Sequence, residues 1–308
     1  MLTIFFTILP LLVLIVIGYG AGKIYKLSTA QYGYMVAFVL SPLVSFGAIL
    51  QLEFKPEYLL LPFIVAFLCI AMTMIGFKTA KPYLPGTIPN LAGMASSAGN
   101  TGFFGIPIFL LFMPIDMLGI YLLANLGTQI IEVSFGYYIA ARGNCTIKQS
   151  MMKLLKMPPL WAVLIAILCN IGGFEMPDIM YDYWKKILDG WLVIGMMMIG
   201  IALASCATLR PDVKFCIHMM VMRFVLWPLL TIGVITFDYH ITQLLNVNIY
   251  FVLAVFAIVP LPGNSVALSA TLGLHPDKMA FAVVLSTVLA ALLVPLVIND
   301  AYQFIMNL

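Results

Sequence analysis

Apolar residues run along this chain in long blocks separated by short polar stretches. Blocks near the length that crosses a bilayer as a helix, about 20 residues, lie near 2–22, 30–50, 58–77, 89–113 and 117–140. A polar stretch from Arg142 to Lys156 follows, and further blocks lie near 158–174, 187–208, 215–237, 249–273 and 279–299. The pattern predicts an all-α polytopic membrane protein of ten transmembrane helices. It divides into a five-helix half at 1–142, a connector at 143–157, and a second five-helix half at 158–308.

Composition agrees with that reading. Of 308 residues 63% are hydrophobic and 9% charged, and mean hydropathy is +1.10. A soluble domain carries about 25% charged residues because its surface faces water; this chain has too few to cover itself. Its surplus apolar surface needs lipid as solvent. Residues 2–18 have neither a basic stretch before them nor a small-residue cleavage pattern after them, and so read as a first span rather than a signal peptide. The net charge of +3 is dispersed between the apolar blocks, which argues against nucleic acid as a partner. Five cysteines (Cys69, Cys145, Cys169, Cys206, Cys216) show no metal-ligand spacing, so no metal and no cofactor is expected.

The cations set an orientation. Loops after the odd-numbered blocks carry Lys23, Lys26, Lys78, Lys81, Arg142, Lys148, Lys153, Lys156, Arg210, Lys214 and Lys278, whereas the even loops carry only Lys55, Lys185 and Lys186. By the positive-inside rule the odd loops, with the connector, face the cytoplasm and both termini face outward. This fits the plasma (inner) membrane. Five spans and a cytoplasmic connector make the second half enter from the opposite side, an inverted-topology repeat of the kind many transporters use.

The fourth block of each half carries helix-breaking residues near its middle. One reads Gly93-Met94-Ala95-Ser96-Ser97-Ala98-Gly99-Asn100-Thr101-Gly102-Phe103-Phe104-Gly105-Ile106-Pro107. The other reads Pro260-Leu261-Pro262-Gly263-Asn264-Ser265, continuing through Ala267 to Gly273. Proline removes a helix N–H and clashes with the preceding turn, and glycine lowers helix propensity. Unwound backbone at membrane depth is tolerated where it is buried in protein or lines a wet cavity. Asn100 with Thr101 and Gly102, and Asn264 with Ser265, are therefore expected to cap two restarting half-helices whose positive ends hold an anion. Pro107, Pro260 and Pro262 mark the breaks. A pair of purely structural kinks is the competing reading.

These segments resemble the auxin efflux carrier family, which includes bacterial malate and malonate permeases and plant PIN carriers. The resemblance rests on ten spans, outward termini, the Gly-Asn-Thr-Gly-Phe-x-Gly-Ile-Pro stretch at 99–107 and the Pro-x-Pro-Gly-Asn-Ser stretch at 260–265. It implies a fold similar to bile-acid sodium symporters, with helices 4 and 9 crossing beside the substrate. It also implies elevator-like transport of small organic anions, such as malate, malonate or auxin-like acids. Spans 3–5 and 8–10 would then move against a scaffold of spans 1, 2, 6 and 7 that often forms a homodimer. The long cytoplasmic loop of many plant members is missing here.

Glu132 and Arg223 are the clear charges inside apolar blocks, both near mid-depth, and either a structural pair or a role in transport would justify them. Glu132 lies on one helical face with Asn125 and Gln129, a candidate for sodium or proton coupling; Arg223 is a candidate contact for a substrate carboxylate. The functional alternative to an anion carrier is a cation/proton antiporter on a similar fold, disfavoured by the lone Glu132. The chain has no HExxH, GxSxG or intramembrane Asp pair, so no enzyme is expected. Met196–Met198 read as packing, His218, His240 and His275 make no ligand set, and Asp189 reads as solvated at a span end. The Asn144-Cys145-Thr146 sequon faces the cytoplasm. Trp161 and Trp184 fit interfacial anchors, and Pro10, Pro42, Pro228 and Pro295 fit kinks.

Overall fold

The computed structural model describes residues 2–27, 29–141, 152, 154–206 and 211–308. Among them every regular element is helical. Seven helices are long and apolar enough to cross a membrane: α1 (Leu2–Tyr25), α2 (Tyr32–Leu50), α3 (Pro56–Ala80), α6 (Ile115–Ala140), α8 (Asp178–Ala204), α9 (Val213–Thr242) and α12 (Pro276–Met306). Shorter helices fill the other apolar blocks. These are α4 (Ile88–Ser96), α5 (residues 101–109), α7 (Pro158–Ile171), α10 (Val247–Ile258) and α11 (Asn264–Thr271). The molecule is a polytopic helical membrane protein. Its long helices leave Phe6, Phe63, Phe67, Ile217, Leu229 and Leu296 exposed, and only lipid makes such a surface inexpensive. Most of the connector at 143–157, with Arg142, the sequon and Arg210, lies outside the described residues.

Some helix bounds differ from expectation. The block expected at 187–208 begins at Asp178, because Pro177 at the cap position fixes the entry of the chain and Asp178 in the first turn favours the positive helix end. Trp184 is consequently no interfacial anchor: it is buried against Gly47, and its indole N–H donates to the Val44 carbonyl at 3.1 Å. Trp161 does lie exposed, donating to Leu155 at 2.8 Å. Three prolines act by widening a helix. π-helical turns at Met35–Leu40, Thr101–Gly105 and Met222–Leu226 each end just before Pro42, Pro107 and Pro228, where the ring displaces a carbonyl of the preceding turn.

Side-chain contacts group the loops into two ends. At one, the Lys278 ammonium meets Asp212 at 2.7 Å, the Cys206 thiol reaches the Pro276 carbonyl, Tyr83 bonds His218, and Asn90 donates to Ile139. Burial alone would raise the Asp212 carboxyl; the Lys278 hydrogen bond and the Phe215 N–H outweigh it and hold it below its ordinary range. At the other end, the Asn170 amide donates to Ile49, Leu50 and Leu52, Asn246 meets Glu57 at 3.4 Å, and Phe112 packs on Tyr302. Glycine allows the closest helix approaches. A Cβ on Gly200 of α8 would lie 2.0 Å from the Ile15 carbonyl oxygen of α1, and one on Gly127 of α6 2.3 Å from the Pro62 oxygen of α3.

Candidate functional site

The two interrupted segments meet. Between α4 and α5 the helix is broken at residues 97–100, and between α10 and α11 at 259–263. The Asn100 backbone N–H donates to the Pro260 carbonyl at 2.8 Å, tying one break to the other. Each is also held from behind. Thr101 donates its hydroxyl to Asn125 Oδ1 at 2.6 Å, and the Tyr121 hydroxyl donates to the Thr101 carbonyl at 2.8 Å. On the other side Ser286 accepts the Leu261 N–H at 3.1 Å. Buried backbone groups freed by the breaks thus find partners on neighbouring helices, as they must at this depth.

The asparagines do not cap as expected. Asn100 stands at the cap position of the first turn of α5 but its side chain makes no capping bond; its carbonyl accepts the Gly105 N–H instead, at 3.1 Å. Asn264 is the first residue of α11, with Gly263 at the cap position. Both side chains line a cavity of about 280 Å³. Asn100 is buried there with Nδ2 unpartnered, whereas Asn264 is exposed to the cavity and its amide faces the Glu132 carboxyl.

Sequence-predicted polar residues gather around this cavity. Thr101, Gly102, Asn125, Gln129 and Glu132 line it along with both asparagines and Pro262. Glu132 begins a π-helical turn at Glu132–Gly136, and such turns recur at functional sites. Ser265 is elsewhere: it is buried and donates to the Pro262 carbonyl in its own turn at 2.5 Å. Pro107 and Pro260 shape the breaks without lining the cavity.

Arg223 does not pair with Glu132. Among the described residues the ion pair found is Lys278 with Asp212. The Arg223 guanidinium is fully buried behind Gly99, where a Cβ would approach its Nη2 to 2.5 Å. It donates to the carbonyls of Phe256 and Val259, at the C-terminal end of α10. The reason lies in the break: Pro260 and Pro262 cannot supply N–H groups to that end, so its last carbonyls need another donor. The forked guanidinium reaches two at once.

Three aromatic residues at the site escaped sequence reasoning. Trp191 of α8 lines the cavity, packs on Phe103 with ring centroids 4.8 Å apart, and leaves its buried indole N–H unpartnered. Trp227 of α9 lies 5.0 Å from the Arg223 guanidinium carbon and donates to the Ser96 carbonyl at 2.9 Å. Tyr121 braces Thr101. The available signal was a tryptophan deep in an apolar block, since its N–H must find an acceptor. No group of three His, Cys, Asp or Glu able to hold a metal occurs among the described residues, and Cys69, Cys169, Cys206 and Cys216 are free thiols.

No protein-family model matches the chain. It is similar to an uncharacterized transporter of Methanocaldococcus jannaschii, 24% identical over 234 residues that cover 72% of this chain and 75% of that one.

Proposed function

We propose that this chain is a ten-span secondary transporter of small organic anions. One observation carries the reading. Two buried N–H donors without a protein acceptor, Asn100 Nδ2 and Trp191 Nε1, belong to residues that line one cavity where both broken helices meet. Leaving a buried donor unpaired costs about 1–3 kcal/mol, so a ligand rich in acceptor oxygens, such as a carboxylate, gains by filling the cavity. The similarity to a protein named a transporter supports the same reading, as does the resemblance to the auxin efflux carrier family. A cation/proton antiporter fits less well, because unpaired donors, not a cluster of acids, line this cavity. Glu132, facing Asn264, is the candidate for sodium or proton coupling.

The sorting of loops into two ends supports ten crossings in two inverted halves, since the broken segments also run from one end to the other. The resemblance implies two bodies. Within the first, α1, α2 and α8 pack on one another through Gly18, Gly47 and Gly200, and Asn170 ties α7 to α2. α3–α6 and α9–α12 form the second, and close glycine contacts also cross between the two, as Gly119 of α6 on Ala48 and Gly195 of α8 on Phe103. The cavity lies between them, walled by Phe38, Trp191 and Met198 on one side and Asn100, Glu132 and Asn264 on the other. Elevator-like sliding of the second body along the first would carry a bound anion across. From the cavity a wider space of about 790 Å³ extends to Cys206 and Asp277, so the structure is open at that end. The cation bias makes that end cytoplasmic.

Orientation and transport are tested separately. With native cysteines removed, a cysteine replacing Lys214 should react with an impermeant maleimide only from the cytoplasm, and one replacing Asp116 only from outside. Reversed labelling would overturn the orientation. Purified protein in liposomes should exchange labelled mono- or dicarboxylates in counterflow, and uptake should respond to a sodium or proton gradient. Absence of counterflow across a panel of such acids would defeat the proposed activity.

A further inference from the structure

A helix presents partial negative charge at its C-terminal end. Two such ends, those of α4 and α10, converge on the crossing described above, close to where the proposed anion would sit. Uncorrected, they would oppose it.

Both ends are capped by one helix. Trp227 of α9 donates its indole N–H to the Ser96 carbonyl, the last residue of α4, at 2.9 Å. Arg223, four residues earlier and so on the same face of α9, donates to Phe256 in the last turn of α10 and to Val259 just beyond it. The guanidinium stacks over the Trp227 ring at 5.0 Å, so the two donors form one unit. Nothing acidic neutralises it: no carboxylate lies within ion-pair distance of Arg223 among the described residues, and its Nη1 is buried and unpartnered. The guanidinium lies against Gly99, and Gly99 itself lines that cavity. A side chain at 99 would occupy the guanidinium's place.

We infer that Arg223 and Trp227 act as a positioning pair that sets the electrostatic sign of the cavity. The Arg223 charge and the Trp227 N–H dipole offset the two negative helix ends, about half a charge each, so that these ends no longer oppose a substrate carboxylate on the far side of Gly99. The inference rests on the proposed anion transport and deepens it, because it makes charge selection depend on residues that do not touch the substrate. A structural role alone would affect all ligands alike; a charge-setting role affects them according to their charge.

The test uses the full-length protein in detergent or liposomes. Binding of the monocarboxylate best exchanged in counterflow is compared with binding of its uncharged carboxamide and of a dicarboxylate on the same carbon skeleton. In Arg223→Met the monocarboxylate should weaken about tenfold, roughly 1.4 kcal/mol, and the dicarboxylate more, with the carboxamide changed less than about twofold. Arg223→Lys, which keeps the charge, should retain monocarboxylate affinity within a few-fold. Trp227→Phe keeps an aromatic ring but loses the Ser96 bond, and should weaken the acid about threefold while sparing the carboxamide. This variant and Arg223→Lys decide the matter if Arg223→Met fails to insert. Equal loss for acid and amide, or no loss for either, overturns the inference while leaving anion transport standing. A parent protein that binds none of the acids sinks both.

Discussion

Asn100→Ala should insert and fold at near-normal levels yet bind the transported acid at least tenfold more weakly, a loss of about 1.4 kcal/mol. The asymmetry follows from the amide's lack of a protein partner. Its Nδ2 has no partner in the protein, so removing it breaks no internal bond, and the backbone N–H that ties it to Pro260 is untouched by the substitution. What is lost is an unpartnered donor in the cavity wall, which a ligand oxygen stripped of water would take as its partner. Trp191→Phe should also weaken binding, since it removes the unpartnered N–H while keeping one aromatic ring to pack on Phe103. Asn264→Ala should also weaken binding. Because its amide faces Glu132, it should in addition change how uptake responds to the sodium or proton gradient. Thr79→Ala is the control: its hydroxyl bonds within its own helix, at an exposed position away from the cavity. Isothermal titration beside thermal unfolding in detergent separates the two effects. If Asn100→Ala and Asn264→Ala bind as tightly as the parent, the crossing is a packing device and the substrate site lies elsewhere.

The second large effect concerns Gly200. Gly200→Ala should lower stability by about 1–3 kcal/mol, the usual cost of overpacking a close contact, and Gly200→Leu should abolish the folded state. A Cβ there would meet the Ile15 carbonyl oxygen at 2.0 Å and the Tyr19 nitrogen at 2.5 Å; both are backbone atoms, so no side-chain rotation relieves the clash. The helices α1 and α8 would have to part. Gly190, ten residues earlier on α8, has no atom within 4 Å of its would-be Cβ. Gly190→Ala should therefore be neutral or stabilising by up to about 1 kcal/mol, the helix-propensity difference. Opposite signs on one helix, read as unfolding temperatures in the same detergent, would establish that the contact and not the residue type decides. Equal shifts would contradict it.

That contact had a sequence signature: Gly18 and Gly22 stand four apart in an apolar block, and Gly200 and Ala204 four apart in another, the small-residue spacing that lets membrane helices approach closely. Which block would receive α1, however, is written in no local pattern. The long apolar blocks and the positions of the two breaks were legible because both follow from local chemistry. Lipid demands an uninterrupted apolar run, and proline and glycine interrupt a helix wherever they stand. Asn100, Thr101, Asn125, Gln129, Glu132 and Asn264 were legible as polar residues that lipid would not accept, and all of them line the same cavity.

Tertiary structure decided what those residues do. The spacing around Asn100 and Asn264 matches a capping motif, but a capping side chain must bend back onto its own helix. Here the crossing leaves both residues in the cavity wall instead. Arg223 and Glu132 lie at similar depths in the sequence reading, which made them plausible partners. Depth along a helix says nothing about rotation around it, and packing turned Arg223 toward the carbonyls exposed where α10 ends. Local sequence thus determined the membrane class, the helical blocks and the two breaks. The capping of α10, the unpartnered N–H groups of Asn100 and Trp191, and the placing of Arg223 behind Gly99 depend on segments far apart in the chain. Only their mutual packing specifies which donor finds an acceptor and which is left for a ligand.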